Sequence, residues 1–278
     1  LEVYSSMQDI LKGLSEINLL KAAIKANWKN YHYCLWQSPN VELSINPYLT
    51  WLLTGIPDHF MNLVVCTKLP KDGVEDLIEN AMAHFREINV TRLSWLIEEG
   101  VPANEVKKHL LAYGLTLRES FATEMAADLT SLPENMPLPD GLSILRVDDH
   151  ETLKKWIHVA SINFGVTESL EDIWCDFFEK AVFDLPFQTY LALLNGKPVA
   201  TAQLFLSAGV AGVYNVTCIP QARGRGIGAA ITMASLLDAQ KMGYQVGILQ
   251  ASQSGYKVYR QLGFQDYGKL SVFLWKHK

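Results

Sequence analysis

The chain has 278 residues, of which 49% are hydrophobic and 19% charged, and a formal net charge of −5. This length suggests about two domains of a globular protein. The negative charge argues against nucleic acid as a partner, and no apolar run reaches the roughly 18 residues that a membrane span needs. The four cysteines lack metal or disulfide spacing, as in a reducing compartment. We therefore expect a cytoplasmic protein that binds neither nucleic acid nor membranes.

The first half of the chain begins with helix-like periodicity and continues through short aromatic-rich runs. Apolar residues at intervals of three and four predict helices over 8–28, 72–85 and 103–113. A strand is predicted over 92–97, and an extended segment over 115–129.

The second half alternates strands and helices in a different order. Asn195-Gly196 between two apolar runs is a strong hairpin signal. The predicted strands are 142–147, 187–194, 198–206, 210–218, 245–250 and 266–276, and the first two predicted helices are 149–164 and 168–183.

The centre of this half is the run V-Y-N-V-T-C-I-P-Q-A-R-G-R-G-I-G-A-A over 213–230. It predicts a strand, a glycine-rich turn and a helix with one buried face. Glycines let the backbone turn tightly and approach a ligand, and free N–H groups at a helix start attract anions. Arg223 and Arg225 add donors suited to phosphate oxygens. The run therefore predicts a phosphate-binding turn.

Three interpretations of this turn compete. A dinucleotide fingerprint fits Gly224, Gly226 and Ala229, but it wants an acidic residue at the end of the next strand, where this chain has Gln-Ala-Ser. A Walker-type loop needs Gly-Lys-Ser/Thr, which is absent. An ordinary turn with solvated arginines is the third. A local charge of +5 over 185–265, from six basic residues and one acid, favours a phosphorylated ligand.

A second motif follows one strand later, in the run A-S-Q-S-G-Y-K-V-Y-R-Q-L-G-F over 251–264. Together the two motifs resemble the GNAT family of acyl-CoA-dependent N-acetyltransferases. The family's Arg/Gln-x-x-Gly-x-Gly/Ala signature corresponds to Arg223, Gly226 and Gly228, and its Tyr-x-x-Leu-Gly-Phe signature to 259–264. The resemblance covers about 142–275.

The resemblance implies acetyl-CoA as the acyl-donor substrate and a mixed sheet whose two central strands splay to admit the pantetheine arm. Backbone N–H groups near the end of the strand would hold the pantetheine and polarise the thioester, and the glycine turn would bind the pyrophosphate. Ser252 stands where the family often has Asn. The implied donor-binding residues are Val216, Thr217, Cys218, Arg223, Gly224, Arg225, Gly226, Ile227, Gly228, Ala229, Ser252 and Tyr256.

Tyr259 is the candidate general acid for the departing thiolate, with simple helix packing as the alternative. Cys218 as an acyl-carrying nucleophile is the less favoured route, since no His is near in sequence and family precedent favours direct transfer. Many relatives carry a basic carboxylate on the strand before the turn, but 210–218 has none. The other candidates for the general base are Glu168, Glu171, Asp172 and Asp184, or a water molecule. We interpret His158 as a helix residue whose hydrogen bonds are satisfied within the fold.

The chain also contains a repeat with an offset of about 150 residues. Pro70 and Pro220 are 150 apart, Gly114 and Gly263 are 149 apart, and the elements between them follow the same order. The first copy has one glycine after Pro70 and no arginine, and Leu110 stands where the second has Tyr259. We expect an α/β (α+β) fold of two tandem GNAT-like domains, each a mixed, mostly antiparallel sheet flanked by helices. Residues 1–135 would be the degenerate copy and 136–278 the catalytic, acetyl-CoA-binding domain.

These patterns predict an N-acetyltransferase that moves an acetyl group from acetyl-CoA to a small-molecule or peptide amine. The alternative is a non-catalytic acyl-CoA-binding or sensing protein, for which the missing base is the main support. A dinucleotide oxidoreductase is a distant third. The sequence does not identify the amine, the acyl length or the oligomeric state.

Overall fold

The computed structural model of the chain describes residues 9–35, 41–118, 122–133, 137–183 and 187–277. The helices are α1 Ile17–Leu35, α2 Val74–Glu87, α3 Ala103–Ala112, α4 His150–Phe164, α5 Glu168–Phe183, α6 Ile227–Lys241 and α7 Gln253–Gln261. The strands are β1 Glu42–Ile45, β2 Leu49–Leu53, β3 Asn62–Cys66, β4 Arg92–Ile97, β5 Thr116–Leu117, β6 Ala122–Asp128, β7 Leu142–Arg146, β8 Phe187–Leu194, β9 Lys197–Ser207, β10 Val210–Cys218, β11 Val246–Ala251 and β12 Gln265–Lys276.

The predicted repeat is present as two copies of one element order. The first copy runs β3-α2-β4-α3-β5 and the second runs β10-α6-β11-α7-β12. In each copy a helix connects two strands that pair in parallel, β3 with β4 and β10 with β11, while the preceding strands pair antiparallel. The tandem, mostly antiparallel fold expected from the sequence is therefore confirmed.

The chain divides into two compact units that are not consecutive halves. The second-copy unit consists of Leu1–Leu35 and Glu124–Tyr267, and the first-copy unit of Trp36–Thr123 and Gly268–Lys278. The predicted domain boundary at residue 135 lies outside the described residues. Each unit thus takes one segment from the part of the sequence that mainly builds the other.

The first-copy unit owes one strand of its sheet to the end of the chain. The carboxy-terminal half of β12 pairs antiparallel with β4, from Ser271 opposite Ile97 to Lys276 opposite Arg92. Its aromatic side chain Phe273 is 1% exposed and joins the same apolar cluster as β3 and α2. Phe273 and Trp275 of β12 are therefore core residues of this unit.

The second-copy unit has a two-faced sheet in which β6 lies beside β11. Side chains at alternate positions, such as Met125 and Ala127, pack with α6 on one face. Those between, such as Ala126, pack with α1 on the other. We refer to the second face as the α1 face.

Helix α1 differs from its predicted range of 8–28. Gly13 has φ 90°, a left-handed conformation that ends the early periodicity, and the helix starts only at Ile17. Its buried side includes the polar residues Asn27 and Tyr31. Because a search for apolar periodicity does not count these polar residues, it misses the second half of α1. Among the described helices, none has the length and apolarity that crossing a bilayer requires.

Candidate active site

The two central strands of the second-copy unit separate before they end. The parallel ladder between β10 and β11 joins Ala211 to Gly247 and Gly212 to Ile248, and within the described residues it covers only these two pairs. β10 continues to Cys218 and β11 to Ala251. Beyond Gly212 the sheet is therefore split, as the resemblance implied.

A β-bulge bends β10 away at this point. The register of β10 on β9 shifts between Tyr214 and Thr217, so β10 has one extra residue there. Asn215 takes up the bend with φ 50°. Thr201 of β9 fixes the bulge, because its hydroxyl donates to the Asn215 carbonyl at 2.8 Å and lies 2.7 Å from the Thr217 hydroxyl. Val216 and Cys218 are consequently partly exposed at the split.

The first-copy unit lacks this opening. β3 and β4 pair at four successive positions, from Leu63 opposite Ser94 to Cys66 opposite Ile97. The next amide continues the contact, with Glu98 N–H donating to the Cys66 carbonyl at 3.1 Å. The β2–β3 ladder runs over five positions without a shift. The equivalent strands are thus joined where β10 and β11 are apart.

The glycine-rich turn follows directly from the split strand. A short 3₁₀ turn over Pro220–Ala222 leads into exposed residues 223–226, and Gly224 and Gly226 have φ 75° and 76°. These left-handed conformations favour glycine. A Cβ built on Gly224 or Gly228 meets nothing within 4 Å, so the approach to the backbone is open.

Helix α6 starts from this turn without a capping side chain. Its N-cap residue is Gly226, which has no side chain that could accept a hydrogen bond from the first N–H groups. The first N–H groups of a helix have no partner within the helix, and the helix dipole adds partial positive charge there. The N–H groups of Ile227, Gly228 and Ala229 are therefore available to an anion.

The two predicted phosphate-binding arginines have different surroundings. Arg223 is exposed but held: its Nε donates to the Cys218 carbonyl at 3.0 Å, and its Nη2 to Asn163 Oδ1 of α4 at 2.6 Å. Arg225 is exposed in the turn itself. Arg223 thus fixes the turn against the end of β10, which the sequence did not reveal.

Tyr259 lies in the core on α7. It is 8% exposed, and its ring packs edge-on against Phe264 at 5.9 Å between centroids. A Cβ on Gly255 would lie 2.8 Å from this ring, which explains the glycine one turn earlier. Burial raises the pKa of Tyr259 to about 12, partly offset by a hydrogen bond with Thr232 of α6. In the first copy Leu110 is fully buried at the corresponding position of α3.

Two other predicted donor-binding residues have local partners. Ser252 is the N-cap of α7, and its hydroxyl accepts from the Gly255 N–H at 3.3 Å. The Tyr256 hydroxyl donates to Asp266 at 2.8 Å. Tyr256 also borders a cavity of about 540 Å³, whose other lining residues are Arg260, Gly263, Phe264, Gln265 and Asp266. No residue of β10 or of the glycine turn lines this cavity.

Cys218 is in a poor environment for a nucleophile. Burial raises the pKa of its thiol, and nearby Arg223 only partly offsets this effect. Its Sγ lies 3.7 Å from the Ile219 carbonyl. A thiol that stays protonated favours direct transfer over a covalent acyl-enzyme.

The structure places the carboxylates that were candidates for the general base in different surroundings. Glu171 is half-buried between α5 and α4, where the Ser161 hydroxyl donates to it and His158 Nδ1 lies 3.3 Å away. Glu168 and Asp172 are exposed, and Asp184 lies outside the described residues. His158 therefore has a carboxylate partner, in agreement with its interpretation as a satisfied helix residue.

A buried polar network behind the bulge was missed by sequence reasoning. Asn215 Nδ2 donates to the hydroxyl of Tyr31 and to Gln203 Oε1, both at 2.9 Å. The Tyr214 hydroxyl donates to Asn27 Oδ1 at 2.7 Å, and the Tyr31 and Tyr214 rings stack at 3.9 Å. This network anchors α1 to the bulge and supports its unusual backbone.

The comparisons with known proteins agree with this geometry. The acetyltransferase (GNAT) family model matches residues 152–264. A GCN5-related N-acetyltransferase from Kribbella flavida is 18% identical, with a TM-score of 0.64 over 94% of this chain and 95% of that one. A functionally unknown protein from Staphylococcus epidermidis is 12% identical, with a TM-score of 0.67 over 87% and 96%.

A tandem GNAT protein from the clavulanic acid biosynthesis pathway is also similar in fold. It is 12% identical, with a TM-score of 0.58 over 96% of this chain and 97% of that one. The curated proteins give no match. At these identities the solved structures establish the tandem fold alone.

Proposed function

We propose that the chain, whose residues 152–264 match the acetyltransferase (GNAT) family model, is an N-acetyltransferase that moves an acetyl group from acetyl-CoA directly to an amine. The observation that carries this proposal is the continuous path from the split between β10 and β11 to the exposed glycine turn at the start of α6. A long, phosphate-bearing thioester fits such a path better than a compact ligand does.

The turn supplies the phosphate contacts. The N–H groups of the first turn of α6, together with the open backbone at Gly224 and Gly228, are suited to a pyrophosphate. Ser252 and Tyr256 remain candidates for contacts with the rest of the donor.

The bulge supplies the reaction centre. The Ile219 N–H donates to the Val199 carbonyl, so in the same ladder the Thr217 N–H faces β9 and the Cys218 N–H faces the split. The backbone N–H groups of Val216 and Cys218 can therefore donate to the pantetheine amides and to the thioester oxygen. The bond that forms is between the amine nitrogen and the carbonyl carbon, and the bond that breaks is between that carbon and sulfur. These N–H donors stabilise the negative charge that develops on the thioester carbonyl oxygen in the transition state.

Tyr259 acts on the departing sulfur mainly as a hydrogen-bond donor. A thiol with an ordinary pKa of about 8.5 is a stronger acid than a phenol with a pKa of about 12. Full proton transfer from Tyr259 to the thiolate therefore costs about 5 kcal/mol. Transfer becomes favourable only when the nitrogen loses its proton in the same step, so that no tyrosinate accumulates.

We expect one acetyl-CoA or CoA site per chain. The first-copy unit has a joined β3–β4 pair and only Gly73 in the equivalent turn, so it offers neither the opening nor the cluster of free amides. Titration calorimetry with CoA should give a stoichiometry of one. Two sites of comparable affinity would contradict this assignment.

The two arginines should have separable effects. Replacing both Arg223 and Arg225 by Ala should weaken CoA binding by roughly 2–4 kcal/mol if both contribute charge-assisted hydrogen bonds. Arg225→Ala should lower affinity without changing the Tm, whereas Arg223→Ala should also lower the Tm, because Arg223 holds Cys218 and Asn163. Calorimetry and thermal denaturation measure both effects.

The matched control for these variants is Lys241→Ala. Lys241 is an exposed cation at the opposite end of α6, with a side chain that is 70% exposed. This variant should bind CoA like the wild type. An unchanged CoA affinity in the double arginine variant would instead mean that both arginines are only solvated.

The second candidate function is an acyl-CoA-binding protein without turnover. The absence of a carboxylate from Val210–Cys218 favours it, since the family commonly places a base there. Release of free CoA from acetyl-CoA, measured with tyramine, spermidine, glucosamine and lysine as separate acceptors, discriminates the two. Tight CoA binding with no release in any reaction would support the non-catalytic alternative.

A further inference from the structure

A carboxylate that sequence reasoning did not select lies buried in the second-copy unit. Glu124 on β6 is 6% exposed. Neighbouring strand residues face opposite sides of a sheet, so Glu124 faces away from Met125 and lies on the same side as Ala126. This side is the α1 face. Carboxylates are seldom buried in proteins unless they are paired, and burial of titratable groups is one of the arrangements that active sites use.

The register of β6 places Glu124 beside the split. The N–H of Leu129, just after β6, donates to the carbonyl of Gln245, just before β11, at 2.8 Å. The two strands are therefore antiparallel, and counting inward from this pair sets Ala126 opposite Ile248. Both of these residues lie in one apolar cluster, as the register requires. Two positions further, Glu124 lies opposite Gln250.

Gln250 in turn lies at the edge of the opening. If the β10–β11 ladder continued past Gly212 and Ile248, Gln250 would pair with Tyr214, but the strands have separated there. Glu124, Gln250 and Tyr214 thus stand in one row across three strands on the α1 face. The Tyr214 phenol lies close enough to sense Glu124: burial and the neighbouring Tyr31 raise its pKa, and the Glu124 charge raises it further.

The row contains an unsatisfied donor. Gln250 Nε2 is buried, and none of the described residues accepts a hydrogen bond from it. Buried polar atoms without a partner are uncommon in native proteins, and a missing ligand is one explanation. A polar group of an acceptor substrate at the split would satisfy it.

We propose that Glu124 is the general base of the reaction, binding the acceptor as an ammonium ion at the split and removing its proton. This inference rests on the proposed function. The carboxylate takes one proton and releases a neutral amine, whose nitrogen attacks the thioester carbonyl carbon. When the carbon–sulfur bond breaks, the second nitrogen proton goes to sulfur through the Tyr259 hydroxyl, and Glu124 returns its proton to solvent. The products are the amide, CoA thiol and one proton.

Other titratable groups on the elements around Glu124 behave differently with pH. The phenols of Tyr31, Tyr214 and Tyr267 have raised pKa values and remain protonated near neutrality. Helix α1 also carries Lys21, Lys25 and His32, and burial lowers the pKa of His32 to about 4. A comparison of variants at position 124 therefore shows whether an acidic limb of the pH–rate profile comes from Glu124 or from another group.

The test is Glu124→Gln in the full chain, with acetyl-CoA and each of the four amines named above as probes. The amide keeps the shape but removes the base, so kcat/KM should fall about 10²–10³-fold near neutral pH. The acidic limb of the wild-type profile should be replaced by a rise in rate that continues up to the pKa of the amine. The deficit should shrink as the pH approaches the pKa of the amine itself, because the amine then arrives already neutral. CoA affinity, measured by calorimetry on the same preparation, should stay unchanged.

Two further variants make the result specific. Glu124→Asp keeps a carboxylate and should retain the acidic limb with a smaller loss of rate, and it serves as the test if Glu124→Gln does not fold. Glu151→Gln removes an exposed carboxylate from α4 and should behave like the wild type. Wild-type rates in Glu124→Gln, or a deficit of equal size at every pH, would overturn the assignment.

The outcome for the wild type separates this inference from the function on which it rests. A wild-type chain that binds no acetyl-CoA, or uses none of the four amines, refutes the proposed activity, and the role of Glu124 falls with it. Amine turnover that is insensitive to substitution at Glu124 leaves the activity standing and refutes only the base.

Discussion

Tyr259→Phe should reduce saturated turnover by about 10²–10⁴-fold while leaving CoA affinity nearly unchanged. The change removes one hydroxyl and keeps the ring, which packs against Phe264 and over Gly255. A hydroxyl that serves the leaving sulfur is needed in the transition state and hardly in the ground state. Steady-state kinetics with acetyl-CoA and calorimetry with CoA measure the two quantities on one preparation.

The pH dependence gives an independent check on Tyr259. Burial raises its pKa to about 12, so the phenol keeps its proton throughout the neutral and mildly alkaline range. We expect no alkaline loss of wild-type turnover from this group below about pH 11. If the phenylalanine variant instead lost CoA affinity and kept its saturated rate, Tyr259 would be a donor-binding or packing residue.

Thr232→Val is the control for the surroundings of Tyr259. Thr232 hydrogen-bonds the phenol, and its own hydroxyl donates to the Gly228 carbonyl at 2.8 Å. Its replacement should raise the phenol's pKa further and reduce turnover much less than removal of the phenol does. A loss equal to that of Tyr259→Phe would indicate that the effect comes through the packing of α6.

Cutting the chain into residues 1–135 and 136–278 should leave neither part folded by itself. The first part lacks the half of β12 that pairs with β4, and with it Phe273 and Trp275 of the core. The second part lacks β6 and also α1, whose Asn27 and Tyr31 support the bulge. Large aromatic truncations alone cost about 3–5 kcal/mol each, against a usual total stability of about 5–15 kcal/mol.

The measurement is circular dichroism and thermal denaturation of each part. A smaller change tests the same point: Trp275→Ala should lower the free energy of unfolding by about 3–5 kcal/mol. Lys276→Ala is the matched control, since Lys276 is exposed on β12 and its replacement leaves the β12–β4 ladder intact, so it should cost little. Cooperative folding and CoA binding by isolated 136–278 would contradict the interleaved arrangement.

Much of the candidate site could be predicted because its signals are local in sequence. Gly224 and Gly226 need left-handed backbone, and a glycine turn followed by apolar residues at helical spacing specifies strand, turn and helix together. The spacing from Tyr259 to Phe264 is also contained in one short helix and its end. Short-range patterns of this kind can be recognised in the sequence without knowledge of the rest of the fold.

The remaining features depend on contacts between distant segments. The extended segment predicted over 115–129 contains β6, but nothing in its sequence states which sheet the strand joins. Glu124 was therefore assigned to the degenerate copy, although an acidic residue inside an otherwise mostly apolar strand was the available signal. Asn27 and Tyr31 were missed for the same reason, since their partners lie more than 170 residues away.

The interleaving of the two units also sets an order of events during synthesis. Residues 41–118 leave the ribosome well before β12, the strand that pairs with β4. Until then the edge of β4 presents unpaired N–H and C=O groups that other strands can join. We expect the nascent chain to be prone to aggregation until β12 is made, and ribosomes stalled after residue 267 should carry chains that proteases cut readily within the first-copy unit.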